Sequence, residues 1–247
     1  MRHRYLLVSL TLFVPAFAGC SANQTPAVQG LSLQSRSHAV MQAGTGRYKI
    51  GKHTLVEADV ADNVVNVYDV SEKQVKKNPA PIASISDSVD QPYGVAFDSS
   101  GDLYVANYGS STVTVYPRGA TKHSSTITTG LSKPLFIAIN ADTLYVANNG
   151  NGTVTTYSTG SGSPLQTITG FSSPFGVALD KSGNAYVTDP GVTDVWKVPN
   201  GSSTPQRLNL QDLHQPNDLA VDSKGNLWVT DSYYFPGQIF IYPPGAT

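Results

Sequence analysis

The chain has a single cysteine and only 13% charged residues, with 16 Lys+Arg nearly balancing 17 Asp+Glu. One thiol excludes an internal disulfide and any multi-thiolate zinc site. The balanced charge excludes nucleic-acid binding by phosphate neutralisation, and its low density excludes a disordered acidic or basic tail. No run after residue 20 is apolar enough to cross a bilayer, which needs about 20 helical residues. There is no phosphate-cradling Gly-rich loop, no Gly-x-Ser-x-Gly elbow and no His-Glu-x-x-His pair. Nothing after residue 50 keeps the apolar period of a helix. What the chain has in quantity is punctuation and β-formers, with 22 Gly, 16 Pro and 13 Tyr in 247 residues.

Arg2, His3 and Arg4 precede an apolar run from Tyr5 to Phe17, closed by Ala18 and Gly19 before Cys20. This is the order of a secretory signal over residues 1–19, and its core of roughly 13 residues is too short to span a membrane. Phe17-Ala18-Gly19-Cys20 resembles a bacterial lipobox, in which cleavage precedes the cysteine and the thiol takes a diacylglycerol. The usual first residue is Leu, so Phe17 departs from that pattern; an ordinary cleaved signal is the alternative. The resemblance implies a lipoprotein held by its acyl chains on the periplasmic or cell-surface side of a membrane. Loss of Arg2 and Arg4 lowers Lys+Arg from 16 to 14 against 17 Asp+Glu, a mature charge of −3. Residues 20–50, rich in Ser, Gln, Ala and Gly, read as a tether, part of which is available as a strand.

The remainder, 51–247, is one unit repeated. Pro92-Tyr93-Gly94-Val95-Ala96-Phe97-Asp98 aligns with segments opening at Pro134, Pro174 and Pro216, which lie 42, 40 and 42 residues apart. Each is followed by a second strand ending at Asn107, Asn148, Asp189 or Asp231, a third ending at Tyr116, Tyr157, Val198 or Tyr242, and, in all but the last, a weaker fourth. Four short strands per forty-odd residues is the blade period of a β-propeller. Runs such as Gly94-Val95-Ala96-Phe97 are apolar on both faces, as strands between neighbouring blades must be. An earlier copy shows as Thr54–Ala58, Asn63–Tyr68 and Ile82–Ile85 without an evident first strand. The expectation is an all-β propeller of four-stranded antiparallel blades, five by count. Six are reachable only if the tether contributes more. The last copy is one strand short, so closure is expected from an N-terminal strand drawn from residues 37–50.

The repeat resembles the NHL type of propeller and, more loosely, the SMP-30/gluconolactonase and strictosidine-synthase relatives, through Pro-x-Gly-Val-Ala-x-Asp and Gly-x-Leu-Tyr-Val-Ala-Asn/Asp. The Asn-His-Leu signature is absent: the corresponding segments read Ser111-Thr112-Val113 and Gly152-Thr153-Val154. The resemblance implies the fold; the same repeat serves scaffolds, lyases and hydrolases.

Asp98, Asp180 and Asp222 open turns that close on Gly101, Gly183 and Gly225. These read as hairpins, since calcium loops need more carboxylates at wider spacing. In gluconolactonase relatives a divalent metal is held by an early Glu and by Asn/Asp just after first-strand prolines. Here Tyr93, Leu135, Phe175 and Asn217 stand at those positions, with Glu57 as the early carboxylate, so the ligand set is not reproduced and no metal or other cofactor is expected. Those four residues instead read as an apolar rim with one polar sector, completed by His214 and Asp218, the weak catalytic candidates. The leading reading is a non-enzymatic binding or scaffold module with a protein or small-molecule partner. The competing one is a lactonase- or lyase-like enzyme, with His214 as base, Asn217 orienting and Asp218 as carboxylate.

Overall fold

The computed structural model describes residues 36–41 (backbone only), 54–69, 80–233 and 237–247; the signal segment and Cys20 lie outside them. Each repeat forms an antiparallel sheet in which neighbours in sequence are neighbours in space. Blade one is β1 (Arg36–Met41), β2 (Thr54–Asp59), β3 (Val64–Asp69) and β4 (Ala83–Ile85). Blade two is β5 (Pro92–Phe97), β6 (Leu103–Asn107), β7 (Thr112–Tyr116) and β8 (Ser125–Ile127). Blade three is β9 (Pro134–Asn140), β10 (Thr143–Asn148), β11 (Thr153–Ser158) and β12 (Pro164–Ile168). Blade four is β13 (Val177–Leu179), β14 (Ala185–Asp189), β15 (Asp194–Val198) and β16 (Gln206–Arg207). Among the described residues, blade five has β17 (Pro216–Val221), β18 (Leu227–Asp231) and β19 (Gln238–Tyr242). The result is the expected five-bladed β-propeller, without a helix among the described residues.

The core lies between blades. Val56, Ala58, Val65 and Val67 of blade one pack on Val95, Phe97, Leu103 and Val105 of blade two. Tyr104, Val113 and Val115 of blade two pack in turn on Ile137, Leu144 and Val146 of blade three. Each such side chain, buried on one blade against the next, contributes about 1.5–3 kcal/mol. First strands run side by side near the axis, β5 against β9 and β13 against β17. Gly94 permits this approach: a Cβ there would meet the Leu135 carbonyl oxygen and the Phe136 Cα, both at 2.7 Å.

One expectation is corrected. Part of the 37–50 segment forms β1, which pairs with β2 from Arg36↔Asp59 to Met41↔Thr54. It is the missing first strand of the earliest repeat, not the outer strand of the last. The chain enters every blade by its inner strand, so the segment before β2 has an inner partner available to it immediately. The hairpin reading of the Asp turns holds: the Asp98, Asp180 and Asp222 carboxylates accept amide N–H bonds from Ser100, Ser182 and Lys224 at 2.8–2.9 Å.

Candidate functional site

The first strands begin at one end of the propeller, and there three of them carry the same irregularity. Pro92 pairs with Asn107 and Val95 with Val105, so the strand holds one residue more than its partner; the same shift separates Pro216 from Leu219 against β18 and Pro134 from Ile137 against β10. A β-bulge re-aims the side chains within it. The bulged dipeptides are Tyr93-Gly94, Leu135-Phe136 and Asn217-Asp218, and Phe175-Gly176 occupies the same place ahead of β13. Three of the four predicted rim positions, Tyr93, Leu135 and Asn217, therefore sit in a bulge, and Phe175 lies at the equivalent place just before β13.

Three of them come together. Leu135 and Phe136 are buried in a cluster against which Tyr93, Tyr108 and Phe175 pack half-buried. The Tyr93 and Tyr108 ring centroids lie 5.5 Å apart, those of Phe136 and Phe175 5.4 Å apart, and the Lys133 Nζ stands 5.5 Å from the Tyr108 centroid. Burial, and then the neighbouring Tyr108 phenol, pushes the Tyr93 hydroxyl above its ordinary range, so it stays protonated at neutral pH. The surface so formed is apolar and aromatic, with one cation at its edge.

Asn217 supplies the polar sector. Its backbone carbonyl accepts a bond from the Thr188 hydroxyl, which itself accepts the Gly176 N–H at 2.8 Å, tying the bulge of blade five to that of blade four. Asn217 is 2% exposed, and its Nδ2 has no hydrogen-bond partner among the described residues. Buried donors are almost always satisfied, and one left over costs about 1–3 kcal/mol.

The two weak catalytic candidates differ in exposure. The His214 ring is exposed and stacks on Tyr233 at 4.9 Å, its Nδ1 lying 3.0 Å from the Asp212 carbonyl. Asp218 is buried, and its Oδ1 accepts the N–H of Leu219. The described hydrogen bonds join neither His214 nor Asp218 to Asn217's side chain. Glu57 lies in β2, accepting the Tyr68 hydroxyl at 2.7 Å. Among the described residues, no three His, Cys, Asp or Glu side chains are placed to hold a metal ion.

The residues ending the second strands brace the entry loops, as a structural role requires. Asn107 accepts from the Asp90 amide, Asn148 from Ser132, Asp189 from Ser172 and Asp231 from His214. Sequence reasoning missed Thr188 and Thr230, whose hydroxyls accept the bulge amides of Gly176 and Asp218. Their signal is legible: Val-Thr-Asp replaces the Val-Ala-Asn of blades two and three.

Residues 48–150 match a model of the SMP-30/Gluconolactonase/LRE-like region, and 213–234 match the NHL repeat. The fold is a β-propeller. Comparison with curated protein sequences finds no match. A catalytically inactive virginiamycin B lyase from Staphylococcus aureus, solved with quinupristin, shares the fold at a TM-score of 0.58 and 14% identity, over 77% of this chain. A streptogramin B lyase does so at 0.60 and 12% over 77%, and the WD40 β-propeller domain of Doa1 at 0.60 and 14% over 72%. The chain spans 66, 65 and 57% of those three proteins, less than two thirds of each. Identities this low carry the fold of this propeller and nothing of its chemistry.

Proposed function

We propose that this protein is a membrane-anchored, extracytoplasmic β-propeller that acts as a non-enzymatic binding module. Its ligand is a small molecule or side chain with an apolar or aromatic body and a hydrogen-bond acceptor. The observation that carries this is the unsatisfied Asn217 amide, buried in the same class of bulge that holds Tyr93 and Leu135. A ligand acceptor on Nδ2 would recover the missing bond, while the rings take its apolar body and Lys133 favours negative charge at the edge. The exposed His214 ring, stacked on Tyr233 while Asn217 is buried, favours binding over turnover. The anchor is supported by the sequence around Cys20.

Binding is tested with the fluorescent probe 8-anilinonaphthalene-1-sulfonate, which has both features. Asn217→Leu is expected to weaken it roughly tenfold, the effect of one buried hydrogen bond, and Tyr93→Ala further. Unchanged affinity in both variants removes the mouth from consideration. Quinupristin, present with the similar Staphylococcus aureus lyase, is the second probe: recovery of chemically altered quinupristin would establish an enzyme instead. Cys20→Ser is expected to move the protein from the membrane to the soluble fraction.

A further inference from the structure

Blade four carries one side-chain row that differs from the same row in its neighbours. Cross-strand pairing sets Tyr186 opposite Lys197 and Lys197 opposite Gln206. In blade two the row reads Tyr104, Val115 and Ser125, and in blade three Tyr145, Thr156 and Gln166. Residues opposite one another across a sheet share a face. This face is turned to the next blade, since Tyr104 and Val115 pack on Ile137 and Leu144 of blade three. Blade four therefore sends an ammonium into a seam where blades two and three send a valine or a threonine.

The seam is not filled there. A cavity of about 210 Å³ lies between blades four and five, with Tyr186, Lys197 and Gln206 on one wall and Leu227, Pro243 and Pro244 on the other. Between blades two and three the corresponding tyrosine bridges the gap: the Tyr104 hydroxyl accepts the Gly160 N–H at 3.0 Å, from the turn after β11. Gly245 is the counterpart in the turn after β19, placed after Tyr242 as Gly160 is after Tyr157. The Tyr186 hydroxyl instead donates to the Asp180 carboxylate at 3.3 Å, and Gly245 is left lining the cavity.

Lys197 is half-buried, and among the described residues no ion pair includes it. Its ammonium stands 5.8 Å from the Tyr186 ring centroid. The Asp180 carboxylate that Tyr186 reaches is already held by the Ser182 and Asn184 amides and the Asn184 side chain. A cation drawn partly out of water gains from an anion that joins it there, and an apolar wall opposite favours a ligand with an apolar body.

We propose that this cavity is a second binding site, separate from the axial mouth, for a small monocarboxylate with an apolar body. The carboxylate pairs with Lys197 and accepts a bond from the Gln206 amide, while the body lies against Leu227 and the two prolines. The volume sets the size: at roughly 30 Å³ of liquid per water it holds about seven waters, enough for one ring or a short chain. Gln206 is exposed, so entry is from the outer rim along β16, whereas the first strands run near the axis.

Benzoate is the probe and benzamide its uncharged match, both titrated against purified full-length protein by saturation-transfer NMR. Benzoate is expected to bind saturably, and benzamide roughly tenfold more weakly, the effect of losing one charge-assisted bond. Lys197→Met, which keeps the apolar stem, is expected to weaken benzoate roughly tenfold and to leave benzamide unchanged, and Lys197→Arg to retain benzoate. A second measurement needs no loss of charge. In protein with isotopically methylated lysines, the Lys197 signal, identified by its absence from Lys197→Arg, is expected to shift as benzoate is added. Lack of saturable binding, equal affinity in Lys197→Met, or a Lys197 signal indifferent to benzoate overturns the proposal. Benzoate binding lost in Asn217→Leu and kept in Lys197→Met overturns it as well, by placing the ligand at the mouth.

Discussion

Asn217 and Gly94 occupy neighbouring places in the bulge class and are constrained by opposite physics. At Gly94 the nearest atoms to an added Cβ are backbone, at 2.7 Å, and backbone cannot move aside. Gly94→Ala is therefore expected to destabilise by about 1–3 kcal/mol in urea titration, the usual cost of overpacking. Gly162→Ala, where nothing lies within 4 Å, should change little. At Asn217 the native residue is itself the misfit. Asn217→Leu removes a buried donor without a partner, so stability should hold or rise by up to about 2 kcal/mol while probe binding falls. A loss of both would mean that the amide is structural. The sequence makes both visible, Gly94 as the glycine of the Pro-x-Gly pattern and Asn217 in the copy where Asp218 replaces that glycine. It also sets His214 close to Asn217 and Asp218 along the chain. A bulge and a strand start intervene, leaving the imidazole on Tyr233 in solvent and the carboxylate inside the blade.

Among elements, the loop from blade one to blade two gathers one cluster of charge. Asp87, in the loop from β4 to β5, accepts the His123 N–H at 3.0 Å, the His123 ring Nδ1 at 2.7 Å and the Lys122 ammonium at 3.0 Å. The His123 amide, then its ring, then Lys122 hold the carboxyl well below its ordinary value of 3.8. Because the folded value is the lower one, this contribution is present above pH 4 and lost as pH falls through the folded value. Asp87→Asn should flatten the dependence of stability on pH below about 4, measured as denaturation midpoints from pH 2 to 6. An unchanged acid slope would assign it to other carboxylates, among them Asp222, which the Asn226 side-chain amide holds low in the same direction. Strand positions were legible from alternation and punctuation, and the predicted second and third strands agree with the observed ones to within a residue or two. The bulges were not legible, since an extra residue shows only when two strands are paired.

On the scale of the whole molecule, the decisive feature is that each blade is stable only through its neighbours, because every core cluster draws on adjoining blades. Among the described residues blade five has three strands, and its Trp228 is 37% exposed where Tyr104 of blade two is 1% exposed. The repeat period, the strand chemistry and the count of five were determined by the sequence alone, because side-chain alternation and turn residues are local properties that recur with every blade. Which N-terminal residues pair with which strand, which aromatics meet at the mouth and which amide is left without a partner were decided only in three dimensions. Register, close approach and burial arise between segments far apart in the chain, and no local pattern encodes them.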